Sequence, residues 1–248
     1  MEFKVDHLGK KYGNKAALSD VSYTFNNGVY GLLGPNGAGK TTFLDMIATT
    51  TRASTGRILY RDMDVEKQLE TWHSRIGYLP QHMEFYPHFT GYEFLKYLYL
   101  LKGGQEKYPE QLDLLLTRLH LYDVRNDRIR TYSGGMKQRL GIAQAFIGSP
   151  ELLLLDEPTV GLDLEERAEF KQMIRETGKD ACVLLSTHIV SDVEETADQV
   201  LFMSEGRIIK SLPLSVCEEE MTREGIESLE DYYLKLAGRK LHDRTDTV

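Results

Sequence analysis

A glycine-rich segment at residues 34–42 has the residue types and the spacing needed to bind phosphate. Its sequence, Gly-Pro-Asn-Gly-Ala-Gly-Lys-Thr-Thr, fits the pattern G-x-x-x-x-G-K-[ST]. A strand that turns through glycines into a helix directs several backbone N–H groups and the positive end of the helix dipole at one point. We therefore predict a nucleotide phosphate site, in which Lys40 reaches the β- and γ-phosphates and Thr41 offers its hydroxyl to Mg²⁺. The predicted phosphate-binding residues are Gly34, Asn36, Gly37, Ala38, Gly39, Lys40, Thr41 and Thr42.

Two carboxylates follow an apolar run in the second half of the chain. Residues 152–155 are all leucine, as expected for a strand buried on both faces of a parallel sheet, and Asp156 and Glu157 come next. Ligands bind outside the carboxyl ends of such strands. We predict that Asp156 holds Mg²⁺ through water and that Glu157 polarises an attacking water as a general base. Without the glycine-rich loop upstream, a solvated acidic turn would be the better interpretation.

A serine and two glycines at residues 133–135 mark the start of a predicted helix. Ser133 is a favourable N-cap, apolar residues then recur at helical spacing, and Gly148 and Pro150 end the pattern. Backbone N–H groups at a helix N-terminus form a ready anion site. Taken alone, however, the segment fits an ordinary capped amphipathic helix better than a ligand site.

The order of predicted elements indicates an α/β fold with an inserted helical region. Alternation over 21–25 is typical of a half-buried antiparallel strand, whereas the apolar runs at 181–185 and 200–203 are typical of a parallel sheet. Helical patterns dominate the intervening sequence as far as Gly148. We predict a P-loop core with a parallel sheet, an antiparallel β subdomain and a helical insertion. The predicted parts are the N-terminal half of the nucleotide-binding core at 1–83, a helical subdomain at 84–148, the C-terminal half of the core at 149–212 and a helical tail at 213–248.

The composition is that of an ordinary globular protein. The chain has 248 residues, of which 41% are hydrophobic and 27% are charged. No window reaches about 18 uncharged apolar residues, so we expect no membrane span. Residues 1–6 lack the apolar core of a signal peptide. The two cysteines, Cys182 and Cys217, predict no disulfide framework and favour a reducing, cytoplasmic location. The net charge of −8 argues against a broad nucleic-acid surface.

Taken together, the three motifs resemble those of the nucleotide-binding subunit of an ABC transporter. The glycine-rich loop alone also fits kinases, GTPases and motors. Residues 133–135, followed by Gln138 and Arg139, are similar to the signature segment of the ABC family. That family usually has Leu where this chain has Tyr132 and Gln where it has Met136. The resemblance covers nearly the whole chain, with every expected motif in order.

The resemblance implies roles for residues outside the glycine-rich loop. Tyr12 would stack on adenine, and Gln81 would sense Mg²⁺ and the attacking water. His188 matches the switch histidine of the family, which contacts the γ-phosphate. The implied catalytic residues are Lys40, Gln81, Glu157 and His188, the implied nucleotide-binding residues include Tyr12, Ser133, Gly134 and Gly135, and the implied metal-binding residues are Thr41, Gln81 and Asp156.

The resemblance also implies partners. Two ATP molecules would join two nucleotide-binding subunits head to tail, as an expected homodimer in which the loop at 161–163 crosses to the partner. The chain would act at the cytoplasmic face of the cell membrane through a separate permease subunit, docked against residues 82–99. Residues 228–234 resemble the ends of bacterial drug or peptide exporter ATPases, so we expect export of an unknown substrate.

Two other functions fit parts of the sequence. ABC-type ATPases of nucleic-acid repair usually carry long coiled-coil insertions, and those of translation fuse two ATPase units in one chain. This sequence has neither feature and lacks a basic stripe. A nucleotide-gated scaffold without catalysis would require loss of the general base, whereas Glu157 is present.

Overall fold

Strands and helices alternate along most of the chain. The structure is a computed structural model, and it describes residues 2–61, 63–104 and 108–238. Its strands are β1 (Phe3–Tyr12), β2 (Lys15–Phe25), β3 (Gly28–Leu33), β4 (Thr55–Tyr60), β5 (Met63–Asp64), β6 (Ile76–Leu79), β7 (Leu152–Asp156), β8 (Cys182–Ser186), β9 (Gln199–Ser204) and β10 (Arg207–Pro213). Its α-helices are α1 (Lys40–Ile47), α2 (Leu69–Arg75), α3 (Gly91–Leu101), α4 (Tyr108–Arg118), α5 (Gly134–Phe146), α6 (Leu164–Gly178), α7 (Val190–Thr196), α8 (Leu214–Glu224) and α9 (Leu229–Leu236).

A six-stranded sheet in the order β10-β9-β3-β8-β7-β6 forms the centre of the structure. Its neighbouring strands are parallel from β9 to β6, and β10 pairs antiparallel with β9 at one edge. Every residue of β7 and β8 is buried, because both faces of the sheet are covered. The predicted α/β fold with a parallel sheet is therefore confirmed. The edge strand β10 was not predicted, since its charged and half-buried residues lack the apolar run of a central strand.

A second sheet, in the order β2-β1-β4-β5, is antiparallel, as the sequence predicts. It shares one hydrophobic core with helix α1 and with one face of the central sheet. Phe3 and Phe25 stack in this core with ring centroids 4.6 Å apart, while Phe43 of α1 and Leu154 of β7 are fully buried in it. The helix that begins at residue 40 is thus held between the two sheets.

Helices α3, α4 and α5 contribute to a second core on the other face of the central sheet. Leu95, Leu116 and Leu140, one from each helix, are fully buried together with Leu153 of β7. Tyr132 is buried just before α5, and its hydroxyl donates a hydrogen bond to the carbonyl oxygen of Val124 at 2.8 Å. The helical insertion therefore packs directly on the strand that ends at the predicted catalytic carboxylates.

The C-terminal helices α8 and α9 fold back onto β9 and β10. The ring of Tyr232 lies 5.5 Å from that of Phe202, and its hydroxyl hydrogen-bonds to Lys210 at 2.6 Å and to Glu220. This network fixes α9 against the central sheet. Among the described residues, none of the helices combines the length and the apolar character needed to cross a bilayer.

Candidate active site

The loop between β3 and α1 turns through two glycines in backbone conformations that side chains rarely adopt. Gly37 has φ 81° and Gly39 has φ 104°. A Cβ added at Gly39 would lie 2.7 Å from the carbonyl oxygen of Ala17, so this position also has no room for a side chain. The turn places the N-terminus of α1, and its unpaired N–H groups, at the carboxyl edge of the central sheet.

Lys40 begins α1 and points back across the loop. Its Nζ donates hydrogen bonds to the carbonyl oxygens of Gly34 at 2.6 Å and of Pro35 at 3.3 Å. Burial lowers the pKa of Lys40, and the nearby carboxylates of Glu157 and Asp156 partly oppose that effect. A buried cation beside a glycine loop is suited to binding a polyanion, since phosphate oxygens can replace the two carbonyls as acceptors.

Asp156 ends β7 next to Ser186 of β8, and it is 1% exposed. Within the described part of the chain, neither of its carboxylate oxygens has a hydrogen-bond partner. An ionised carboxylate without donors is costly to bury unless a cation or bound water pairs with it. Asp156 and the hydroxyl-bearing Thr41 of the cleft therefore fit a Mg²⁺ site, whose preferred ligands are carboxylate oxygens, hydroxyls and water.

Glu157 lies just beyond the strand and pairs with His188. Its backbone has φ 50°, and its N–H donates to the carbonyl oxygen of Ser186 at 2.8 Å. The side-chain Oε2 lies 2.7 Å from Nδ1 of His188. The Glu157 side chain is 10% exposed, whereas that of His188 is 61% exposed. The carboxylate is thus held in place, while the imidazole is free on its outer side to contact a ligand.

A cleft of about 620 Å³ brings most of the predicted residues together. Tyr12, half-exposed at the end of β1, stands at this cleft with Nζ of Lys10 at 4.9 Å from its ring centroid. Ala38 is a buried residue of the phosphate loop. Gly34 and His188 line a smaller cavity behind the loop. The predicted residues that line the cleft are Tyr12, Asn36, Gly37, Gly39, Lys40, Thr41, Thr42, Gln81 and Glu157.

The residues at 133–135 lie outside that cleft. Ser133 caps α5, with its Oγ accepting the N–H of Met136 at 3.2 Å and its own N–H donating to Sδ of Met136 at 3.5 Å. Ser133 and Gly134 are exposed, and a Cβ on Gly135 would lie 3.2 Å from the carbonyl oxygen of Gly161. The start of α5 therefore faces solvent beside the loop at 161–163, and it does not reach the phosphate loop of its own chain.

Sequence analysis did not identify several residues of the site. Glu205 and Gly206, in the turn between β9 and β10, line the cleft, and the N–H of Gly206 donates to the carbonyl oxygen of Ala38 at 2.9 Å. The Glu-Gly pair is a turn signal between two strands, but nothing in the sequence links that turn to residue 38. Residues 15–17 line the cleft as well, because β2 starts beside the glycine loop.

A buried polar network behind Glu157 was also missed. Thr159 donates to a carboxylate oxygen of Asp192 at 2.6 Å, and Lys171 lies 3.0 Å from the other oxygen. All three residues are buried, on the loop after β7, on α7 and on α6. The network ties the acidic loop to the helix that follows His188, and no local pattern in the sequence announces it.

Comparisons with known proteins agree with this architecture. A profile of the family described as ABC transporter matches residues 18–160. The uncharacterized ABC transporter ATP-binding protein YxlF of Bacillus subtilis (strain 168) is 42% identical over 207 residues, covering 82% of this chain and 68% of that protein. The daunorubicin resistance ATP-binding protein DrrA3 of Streptomyces coeruleorubidus is 38% identical, covering 83% and 66%. A solved ATP binding subunit of an ABC transporter superposes with a TM-score of 0.87 at 28% identity, covering 96% of this chain and all of that one.

The chain therefore belongs to the ABC transporter family, as an ATP-binding subunit. It is an ATPase, and the fold that the sequence predicts is the ATP-binding cassette fold.

Proposed function

We propose that this chain hydrolyses ATP at a site shared between two nucleotide-binding subunits, and that it powers export through a separate permease. The observation that carries the proposal is that the predicted nucleotide-binding residues lie in two separate places on the chain. The phosphate loop and Glu157 line one cleft, whereas Ser133 and Gly134 are exposed outside it.

The residues of the cleft have complementary roles in hydrolysis. The loop amides and Lys40 bind the phosphates, and the half-exposed ring of Tyr12 offers a stacking surface for adenine. Asp156 and Thr41, assisted by Gln81, would hold Mg²⁺, which would supply charge neutralisation at the phosphates. Glu157 orients and polarises the attacking water, and His188, which is held through Nδ1 by Glu157, contacts the transferring phosphoryl group with its exposed side.

A second subunit would supply the missing donors. Ser133 and the N-terminal amides of α5 form an exposed anion site, which the phosphate loop of the same chain does not use. The apolar side chains on either side of the loop at 161–163 are also solvent-facing, with Val160 53% and Leu164 87% exposed. A two-fold pair would bury these residues and complete both sites at once. We propose a homodimer.

The permease would dock in a groove of about 1250 Å³ between the core and the helical insertion. The end of α3 forms one wall, where Leu100 is 50% and Leu101 is 65% exposed. Tyr86 and Tyr97 are exposed nearby in an aromatic cluster that extends from the predicted docking segment at 82–99. A groove that has exposed leucines on one wall and polar residues such as Glu70 and His73 elsewhere is suited to an amphipathic helix of a partner. Through this contact the chain would be held at the cytoplasmic face of the membrane.

The name of one relative supports the proposal of export. DrrA3 is described as a daunorubicin resistance protein, and resistance is a natural consequence of export. The tail motif at 228–234 favours the same direction. A strain in which this chain carries Glu157→Gln should therefore accumulate more of an exported drug than the parent strain. Equal intracellular drug levels across a panel of anthracyclines and peptide antibiotics would contradict drug export.

The catalytic proposal is tested by Glu157→Gln. We expect ATP turnover to fall by about 100-fold or more, because general-base assistance is lost. ATP should still bind, and should now hold a stable dimer in size-exclusion chromatography. Glu219→Gln, the same change at an exposed position on α8, is the control and should hydrolyse ATP at the parental rate. Parental turnover in Glu157→Gln would show that another group is the base.

A further inference from the structure

A second cavity, of about 210 Å³, lies behind the phosphate loop. Gly34 and Pro35 form one wall, the loop of Thr187 and His188 forms another, and the tail helix α9 closes it with Tyr233 among its residues. Helix α9 therefore faces the phosphate loop and the Thr187–His188 loop from the side away from the predicted nucleotide cleft. This contact is not needed to fix α9, which is already anchored on β9 and β10.

Two adjacent tyrosines of α9 have opposite surroundings. The hydroxyl of Tyr232 is fully engaged with Lys210 and Glu220. Tyr233 is 8% exposed, and among the described residues its hydroxyl has no hydrogen-bond partner. A buried donor without a partner is unfavourable, so the Tyr233 hydroxyl is available to an acceptor that comes within reach in another state of the protein.

The same cavity is lined by the two residues whose carbonyl oxygens accept hydrogen bonds from Nζ of Lys40, Gly34 and Pro35. In the phosphate-binding role proposed for it, Lys40 would turn to the β-phosphate, and both carbonyls would lose their charged donor. These two residues share the rear cavity with Tyr233.

We propose that Tyr233 is a positioning residue, whose hydroxyl donates a hydrogen bond to the Gly34–Pro35 turn once nucleotide has drawn Lys40 away. The bond replaces the lysine as a donor to the turn and holds the phosphate loop in its nucleotide-bound shape. This inference rests on the proposed role of Lys40 in phosphate binding. The inference adds a role for the tail helix α9, whose Tyr233 would contribute directly to nucleotide affinity.

The test compares Tyr233→Phe with Tyr232→Phe, which lose the same atom from neighbouring positions. Affinity is measured by calorimetry with Mg²⁺ and ADP, which carries the β-phosphate but cannot be hydrolysed. Stability without nucleotide is measured by guanidinium unfolding, followed by the fluorescence of Trp72, the single tryptophan of the chain and fully buried.

We expect Tyr233→Phe to bind ADP about three- to tenfold more weakly, as for the loss of one hydrogen bond, with an unchanged or higher unfolding midpoint. Tyr232→Phe should show the reverse pattern, with a lower midpoint and parental ADP affinity. The inference is overturned if Tyr233→Phe binds ADP as tightly as the parent, or if its midpoint falls as in Tyr232→Phe. Neither measurement involves hydrolysis or a membrane partner. The test can therefore fail while the catalytic roles stand, and Glu157→Gln can behave unexpectedly while this test succeeds.

Discussion

Asp156 and Glu157 are neighbours in the chain but meet different surroundings. Asp156 is the last residue of a buried strand, and its oxygens have no partners among the described residues. Glu157 has turned out of the strand with a positive φ and is hydrogen-bonded to His188. These surroundings agree with the roles proposed above, in which Asp156 pairs with a cation and Glu157 with a water molecule. Neighbouring positions acquire separate chemical roles because the backbone bends between them.

Asp156→Asn tests the cation role. The variant removes a buried charge that has no hydrogen-bond donor among the described residues, and Lys40 offsets only part of the cost of burying it, so the metal-free variant should unfold at the same denaturant concentration as the parent or at a higher one. The Mg²⁺ concentration needed for half-maximal ATPase activity should rise by about 10- to 100-fold, as for the loss of a group that orients a metal site. Unfolding in the presence of EDTA, followed by Trp72 fluorescence, and ATPase rates across a Mg²⁺ series measure the two effects.

The matched control is Asp180→Asn, at an exposed position before β8. It should alter neither quantity. A metal-free Asp156→Asn protein that is clearly less stable than the parent would indicate that the carboxylate already has a partner within the chain.

At the scale of elements, the helical insertion is fastened to the core at a few defined points. Gln144 of α5 donates to the carbonyl oxygen of Tyr78 at 2.9 Å, and Gln138 donates to that of Pro158 at 2.8 Å. Lys102, at the end of α3, donates to the carbonyl oxygens of Ile76 at 2.7 Å and Ile147 at 3.2 Å. The insertion is therefore positioned by side chains that reach backbone acceptors in the core.

Lys102 makes the stability of this junction dependent on pH. Burial lowers its pKa from the ordinary 10.5 to about 8. Below about pH 8 both the folded and the unfolded protein carry the charge, and the folded protein bears the full cost of burying it. Between about 8 and 10.5 the unfolded chain binds more protons, so the folded state becomes more stable as the pH rises.

The pH dependence of the unfolding free energy is compared between the parent and Lys102→Met, because methionine keeps the apolar stem of the side chain and cannot titrate. From pH 7 to pH 10, the parent should gain unfolding free energy relative to the variant by on the order of 2 kcal/mol. Denaturant unfolding at both pH values measures the difference. Lys11→Met, at an exposed position, should leave the pH dependence unchanged. A parent–variant difference that is constant with pH would contradict the lowered pKa.

At the scale of the whole molecule, the two helix N-termini that are proposed to bind phosphate are separated. The N-terminus of α1 lies in the cleft, and that of α5 lies outside it on an exposed surface. Each half of the proposed composite site is therefore preformed in one chain, and assembly would bring the halves together without refolding either element.

Mixing two inactive variants tests this assembly. Ser133→Arg places a bulky cation at the exposed anion site, and Lys40→Ala removes the phosphate-binding lysine, so each variant alone should be inactive. In a mixed pair, one of the two sites combines the intact phosphate loop of the Ser133→Arg chain with the intact Ser133 of the Lys40→Ala chain. ATPase activity well above that of either variant alone is expected. If each variant stays inactive in every mixture, the shared site is disproved, and full activity of Ser133→Arg alone would disprove it as well.

The proposed docking groove is tested by Leu101→Glu. A charge on this exposed leucine should release the chain from membranes that contain its permease, while ATPase activity of the isolated chain remains parental. Leu114→Glu is the control, because Leu114 is similarly exposed, at 60%, but lies on α4 away from the groove. Fractionation of cells and ATPase assays give the two readouts. Membrane retention of Leu101→Glu at the parental level would place the docking surface elsewhere.

The sequence by itself determined the local chemistry of this protein. The loop at 34–42, the strand leading to Asp156 and the capped helix after Ser133 are each specified by contiguous residues. Their glycines, leucines and capping serine fix backbone conformation within a few positions. The fold class followed from the order of these segments, because parallel strands alternate with helices.

Only the tertiary structure decided which of these segments meet. The approach of Glu205 and Gly206 to the phosphate loop and the Thr159–Asp192–Lys171 network join residues distant in sequence. The packing of α9 likewise buries the hydroxyl of Tyr233 without a hydrogen-bond partner among the described residues. Such contacts depend on the register of strands and the packing of helices on a sheet, for which no contiguous pattern exists. The same packing leaves Ser133 outside the cleft of its own chain, so the separation of the two phosphate-binding motifs is a property of the fold.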